Sequence, residues 1–312
     1  MSNNKSKHLA PHWYITGTFI LIVAFLILKA SRIDMMEETV NTVPFIASTP
    51  ILPDTIDFCF ERVPVEYFDV KESLERELTV NMYWHSQTIW LIQRANRYFP
   101  EIEPILQQNN IPDDFKYLAI AESGLQNVVS PAGATGFWQL LEGTAKDYGL
   151  EINEEVDERY HIEKSTVAAC KYFQESFDRY QSWTLAAASY NVGRRGVDRQ
   201  IEKQKENNYY DLLFNEETAR YVYRALAFKL VFENPEKYGF IMPVEKRYQV
   251  IPYKEIDIDV PVESWADFAH EHNTNYKLIK FLNPWLRVEK LSNKTGKTYT
   301  IRIPKRNARE TK

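Results

Sequence analysis

The stretch YLAIAESGLQNVVSPAGATGFWQLLEGTAKDYGL, Tyr117–Leu150, sets a carboxylate directly after an apolar run and follows it with a loop rich in Ser, Pro and Gly. Just upstream, Pro112 occupies a first-turn position, and Asp113 and Asp114 follow at the favourable end of a helix dipole. Phe115, Leu118 and Leu125 mark the buried stripe of the helix so begun. Glu122 comes four residues after Leu118 and points along the same apolar side. A carboxyl group there loses hydration in its charged form, so its pKa rises toward the range a general acid needs near neutrality. The competing reading pairs Glu122 with Arg94 or Arg97 in a structural ion pair.

The loop tilts the balance toward chemistry. Gly133 and Gly136 bracket GATGFWQ and allow a ligand to approach the backbone closely. Phe137 and Trp138 offer flat faces for sugar stacking, and Gln139 offers both a donor and an acceptor. With Glu122 these residues describe a cleft for a neutral, hydroxyl-rich polymer.

Outward from this stretch the pattern is mainly helical from Val65 to about Gly239. Trp84, Leu91, Ala95 and Tyr98 fall near one face, as do Val167, Cys170, Phe173, Phe177 and Tyr180, and again Tyr221, Ala225, Phe228 and Phe232. Such stripes are core. Helix stops stand at Asn191-Val-Gly193 and Asn234-Pro235. After Pro243 the texture changes. YQVIPYKEIDIDVP (248–261) and KTYTIRIPK (297–305) alternate as strands, and SWADFAHEHNTNYKLIKFLNPWL (264–286) reads as two short helices around a turn. The fold class is therefore mainly α with a small α+β module at the C-terminus.

Charge supports the same boundary. The 312 residues carry a formal net charge of −5, which does not suggest nucleic acid as a partner. From Pro243 onward there are 14 Lys and Arg against 9 Asp and Glu, leaving 24 against 34 before it. Two cysteines cannot make a disulfide framework. Cys170 reads as an inert core thiol, and a Cys59–Cys170 bridge stays open only for an oxidising compartment. His270 and His272, two apart on a helix, face different ways and suggest no metal. Nothing calls for a cofactor.

At the N-terminus, WYITGTFILIVAFLIL (13–28) is free of charge and flanked by Lys5, Lys7, Lys29 and Arg32. A spanning helix needs about 17–25 apolar residues, and Pro11 and Ala30 extend this one to that range. An uncleaved signal anchor is favoured over a cleaved signal peptide, because cleavage after Ala30 would place Leu28 at the −3 position.

The ordered segments AESGL…SPAGATGFWQLLEGTA…YGL, VDERYHIEKSTVAACKYF, WTLAAASYNVG and ETARYV resemble those of lytic murein transglycosylases with the goose-type lysozyme fold, most of all the membrane-bound type D group. The resemblance implies a lysozyme-like helical catalytic domain. It makes Glu122 the catalytic acid and base, and Ser130 an aid to attack by the muramoyl C6 hydroxyl. Gln139 becomes a glycan-binding residue and Tyr190 the tyrosine hydrogen-bonded to the catalytic Glu, with Asn191 beside it and Tyr221 lining the same cleft. Read from the residues alone, Ser130 and Asn191 also fit turn or cap roles, and Tyr221 fits the core. Two departures stand out: Ser189 replaces the usual Ala before Tyr-Asn, and Glu142 replaces a common Pro. We expect Glu142 to face solvent; facing the cleft, it would favour hydrolysis. The segment after residue 243 resembles a degenerate LysM module, either glycan-binding or a structural appendage.

Together these readings divide the chain into a cytoplasmic N-terminus (1–12), a transmembrane anchor (13–30), a linker (31–64), a catalytic domain (65–242), a LysM-like module (243–306) and a tail (307–312). The expected activity is cleavage of the MurNAc–GlcNAc bond in peptidoglycan glycan strands with 1,6-anhydro ring closure. It would be performed in the periplasm by a domain tethered to the membrane. A wall-binding scaffold without catalysis and a lysozyme-type hydrolase are the alternatives, and protein partners are left unassigned.

Overall fold

In the computed structural model, which describes residues 48–310, helices carry the chain from Phe68 to Glu233. A two-residue hairpin, β1 (Asp57–Phe58) with β2 (Glu61–Arg62), precedes them. The helices are α1 (Phe68–Tyr83), α2 (His85–Gln108), α3 (Lys116–Ser123), α4 (Glu142–Asp147), α5 (Ile162–Tyr180), α6 (Trp183–Val192), α7 (Arg194–Gln204) and α8 (Glu216–Glu233). The anchor expected at 13–30 lies outside the described residues. Among those described, no helix is long and apolar enough to cross a membrane.

Helix α8 is the axis of this domain. Its residues from Tyr221 to Val231 are nearly all buried, as expected of a helix that is apolar on most sides. Helices α1, α3 and α6 pack against it. Arg220 ties it to α1 through the buried Glu77 carboxylate at 2.6 Å. Helix α6 is built on Ala186, Ala187 and Ala188, whose small side chains let neighbours approach closely. Ser182 caps it by accepting the Leu185 amide, and the Glu61 carboxylate accepts the amides of Trp183 and Thr184. An anion at a helix N-terminus satisfies donors that have no partner within the helix. Gly193, at φ +75°, ends α6, and Pro235 follows the end of α8.

Two expectations need correction here. Residues 31–64 read as a tether, yet Ile56, Phe58, Cys59 and Val63 are buried in the main core, so packing begins before residue 65. The helical stripe expected through Trp84 is interrupted: the helix breaks there, and Trp84 stands 60% exposed between α1 and α2. Cys59 and Cys170 are both buried and unbridged. Burial pushes the Cys59 thiol well up and the Cys170 thiol to about 12.

The C-terminal module follows the alternation in its sequence. Strands β3 (Tyr253–Ile258) and β4 (Tyr299–Pro304) pair antiparallel, with Tyr253 opposite Pro304 and Ile258 opposite Tyr299. Between them lie α9 (Trp265–Glu271) and α10 (Tyr276–Leu282). Trp265, Ile279, Trp285, Ile301 and Ile303 form a second core. The fully buried Asn283 locks α10 to β4: its amide donates to the Ile279 and Arg302 carbonyls and its oxygen accepts the Arg302 amide. Main domain and module belong to one compact unit.

Candidate active site

Glu122 sits in the last turn of α3, where the helix stops at Gly124 in the left-handed region (φ +61°). Neither candidate arginine reaches it. Arg94 donates to the Gly124 and Leu125 carbonyls, and Arg97 to the Gln249 carbonyl. Instead the Tyr221 hydroxyl donates to Glu122 Oε1 at 2.5 Å. Burial raises the Glu122 pKa to about 7; the Tyr221 hydrogen bond opposes the rise, the Glu217 charge adds to it and Arg224 lowers it slightly. The carboxyl group therefore holds its proton close to neutrality while keeping one strong hydrogen bond.

Helix α8 delivers three of these groups from one face. Glu217, Tyr221 and Arg224 follow one another at helical spacing. Asn191, at the end of α6, fixes the top of that face: its amide donates to Glu217 Oε1 at 3.2 Å and its oxygen accepts from Thr218 Oγ1 at 2.7 Å. Arg224 Nε is buried with no hydrogen-bond partner among the described residues.

The loop after α3 folds back on itself. Ser123 Oγ donates to the Phe137 carbonyl at 2.9 Å, fastening the loop to the helix that bears Glu122. Ser130 Oγ accepts the Ala134 amide, a turn role. Gln139, at φ +47°, donates its amide to the Val128 and Gly136 carbonyls. Both residues thus brace the loop that borders Glu122. Glu142 faces solvent in an ion pair with Lys146 at 2.6 Å.

Two site expectations are overturned. Trp138 is fully buried: its indole donates to Thr166 Oγ1 at 2.8 Å and its ring packs on Phe173 and Tyr190, so it has no face left for a sugar. Phe137 is buried as well. Tyr190 does not bond Glu122; its hydroxyl donates to the Trp138 carbonyl at 2.6 Å. Tyr190 is still close enough for the Glu122 charge to raise its pKa further above what burial alone does. The tyrosine on the carboxyl is Tyr221, expected only to line the cleft. The polar groups at 217, 221 and 224, which share one face of this helix, were the available signal.

Residues 100–213, which hold Glu122 and the whole loop, match the family described as the transglycosylase SLT domain. Residues 254–307 match the soluble lytic transglycosylase C-terminal LysM-like domain. The membrane-bound lytic murein transglycosylase D of Escherichia coli strain K12 is 26% identical over 245 residues, covering 77% of this chain. The protein of that name in Escherichia coli O6:H1 gives the same values. The chain spans about half the length of these relatives, 52%. The crystal structure of the 70 kDa soluble lytic transglycosylase of Escherichia coli overlays 57% of this chain and 33% of its own, with 18% identity and a TM-score of 0.40.

Tyr221→Phe tests the Glu122 partnership. The hydroxyl favours the charged carboxylate, so its loss should move the Glu122 pKa above 7. Titration of the Glu122 carboxyl by NMR reads this out, since its midpoint should shift upward.

Proposed function

We propose that this chain is a peptidoglycan lytic transglycosylase in which Glu122 acts first as general acid and then as general base. The observation that carries the reading is the desolvated Glu122 carboxyl, with a pKa of about 7 and a single short bond to Tyr221, inside a domain that matches the SLT family. Glu122 hands its proton to the glycosidic oxygen between MurNAc and GlcNAc, and the C1–O bond breaks. The substrate's own N-acetyl group offsets the positive charge that develops. The Glu122 carboxylate then takes the proton of the C6 hydroxyl as that oxygen bonds to C1 and closes the 1,6-anhydro ring. A tethered nucleophile removes the need to position a water and provides a high effective molarity. A hydrolase would ordinarily employ a second carboxylate across the bond.

Ser130, Gln139 and Asn191 would line the groove and shape it for glycan, and Tyr190 would support the loop from below. The likeness to proteins named membrane-bound lytic murein transglycosylase D supports a location in the cell envelope, where the uncharged stretch 13–28 and its flanks would serve as the membrane anchor. Mass spectrometry of digested murein tests the reaction. The expected muropeptides are one water lighter than their hydrated counterparts, and a product consisting only of hydrated reducing ends would replace transglycosylation by hydrolysis.

A further inference from the structure

Residues 151–160 run between the two cores and belong to both. Val156 and Tyr160 are buried in the core of the C-terminal module. Val156 pairs with Leu286 in an antiparallel bridge. On either side, the Asp157 amide donates to the Trp285 carbonyl at 2.9 Å and the Arg287 amide to the Glu155 carbonyl at 2.8 Å. Glu155 accepts the amide and hydroxyl of Ser292, and the Arg287 guanidinium lies 3.8 Å over the Tyr160 ring. Strand β4 adds Arg302, which pairs with Glu101 on α2 at 2.7 Å and with Glu163 on α5. Removing the module would strip an apolar surface and leave several buried backbone groups without partners.

The other side of the same segment holds the loop beside Glu122. Arg159 is buried and forked onto Asp157 at 2.7 and 3.0 Å. Its remaining nitrogen donates to the Gly133 carbonyl at 3.1 Å and the Leu140 carbonyl at 3.4 Å. The Arg159 carbonyl packs against Gly136 so tightly that an added Cβ would lie 2.1 Å from it. Gly133, Gly136 and Leu140 span the loop that contains Gln139 and begins its turn at Ser130.

We infer that the C-terminal module is an internal brace for the substrate loop, acting through residues 151–160, with Arg159 as the positioning residue that transmits its hold. The inference rests on Glu122 being the reacting acid. It assigns the module a task that needs no glycan of its own. A bidentate guanidinium pair fixes geometry in a way that a lysine ammonium cannot, which makes Arg159→Lys a specific probe.

Hydrogen exchange on the full chain tests this without reference to the reaction. In the parent, the amides of Ser130, Thr135, Gly136 and Leu140 are bonded to backbone carbonyls and should exchange slowly. Arg159→Lys should speed them by about tenfold or more, and the remote pair Glu155→Ala/Arg287→Ala, which touches no loop residue, by about threefold or more. Amides of α1 and α8 should keep their protection in both. Should the remote pair unfold the chain, seen as lost protection in α8, Arg287→Ala alone carries the same test, since it removes the cation from the Tyr160 ring and one hydrogen bond to the Pro284 carbonyl, neither of them in the loop. Loop exchange unchanged in Arg159→Lys, or unchanged in the remote variant, overturns the inference. Failure of the transglycosylase reading would show in the digestion products instead and leave this measurement untouched.

Discussion

Glu122→Gln should abolish release of muropeptides from murein, by about 10³-fold or more, while leaving the fold intact and more stable above neutrality. The amide fills the same space and can still accept from the Tyr221 hydroxyl, but it has no proton of the right acidity to give. The stability effect follows from linkage. Folding raises the Glu122 pKa from an ordinary value near 4.5 to about 7, so the native state binds this proton more tightly than the unfolded chain does. Stability is therefore lost as pH rises from about 4.5 through 7, and is flat on this account at lower pH. Replacing the carboxyl removes that loss. Thermal unfolding should find Glu122→Gln on the order of 2–3 kcal/mol more stable than the parent at pH 8 and nearly equal to it at pH 4. Cleavage by the parent should decline above pH 7, as the protonated fraction falls. A Gln variant that digests murein at the parental rate would remove Glu122 from the mechanism.

Gly136→Ala should be the most damaging single methyl group in the substrate loop. Gly136 has φ +81°, a conformation that L side chains rarely adopt, and its Cβ would lie 2.1 Å from the Arg159 carbonyl oxygen and 2.9 Å from its carbon. Neither partner is the end of a flexible chain, so the backbone itself must move. Conformational strain alone costs about 1–3 kcal/mol, and the clash adds to it. We expect at least ~4 kcal/mol of destabilisation, near the top of the range for single substitutions, together with loss of activity as the loop leaves Arg159. Gly133→Ala is the control. Its φ is similar, +79°, but nothing lies within 4 Å of the added carbon. It should cost only about 1 kcal/mol. Equal melting temperatures for the two variants would refute the assignment of the Arg159 carbonyl as the constraint.

Much of this architecture was written locally. The helical stripe that runs through Leu118 put Glu122 on an apolar side, and the desolvated carboxyl is what the structure contains. Gly193 and the Asn234-Pro235 pair stop helices where the sequence places the stops, because they act through their own backbone preferences. The alternation in 253–258 and 299–304 gave both strands of the module. What failed depended on which distant element arrives. Whether Tyr190 or Tyr221 meets Glu122 is decided by how α8 crosses α3, and no local pattern encodes that crossing. Trp138 looked like a platform because it follows glycines; Thr166, on another helix, supplies the polar partner that lets its indole be buried. Residues 56–63 looked like tether because of the prolines around them, although Ile56, Phe58 and Val63 carried apolar surface enough to join the core. Arg159 gave no sign of its hold on the loop, since its partners there are carbonyls that any residue could present.

The two buried thiols make the fold its own reporter. Cys59 and Cys170 sit in the main core, far from the thiolate form that alkylating reagents require. Modification must wait for the surrounding helices to part, so the rate of labelling at each position becomes a stopwatch for opening. Cys59 times release of the N-terminal hairpin, and Cys170 times separation of α5 from its neighbours.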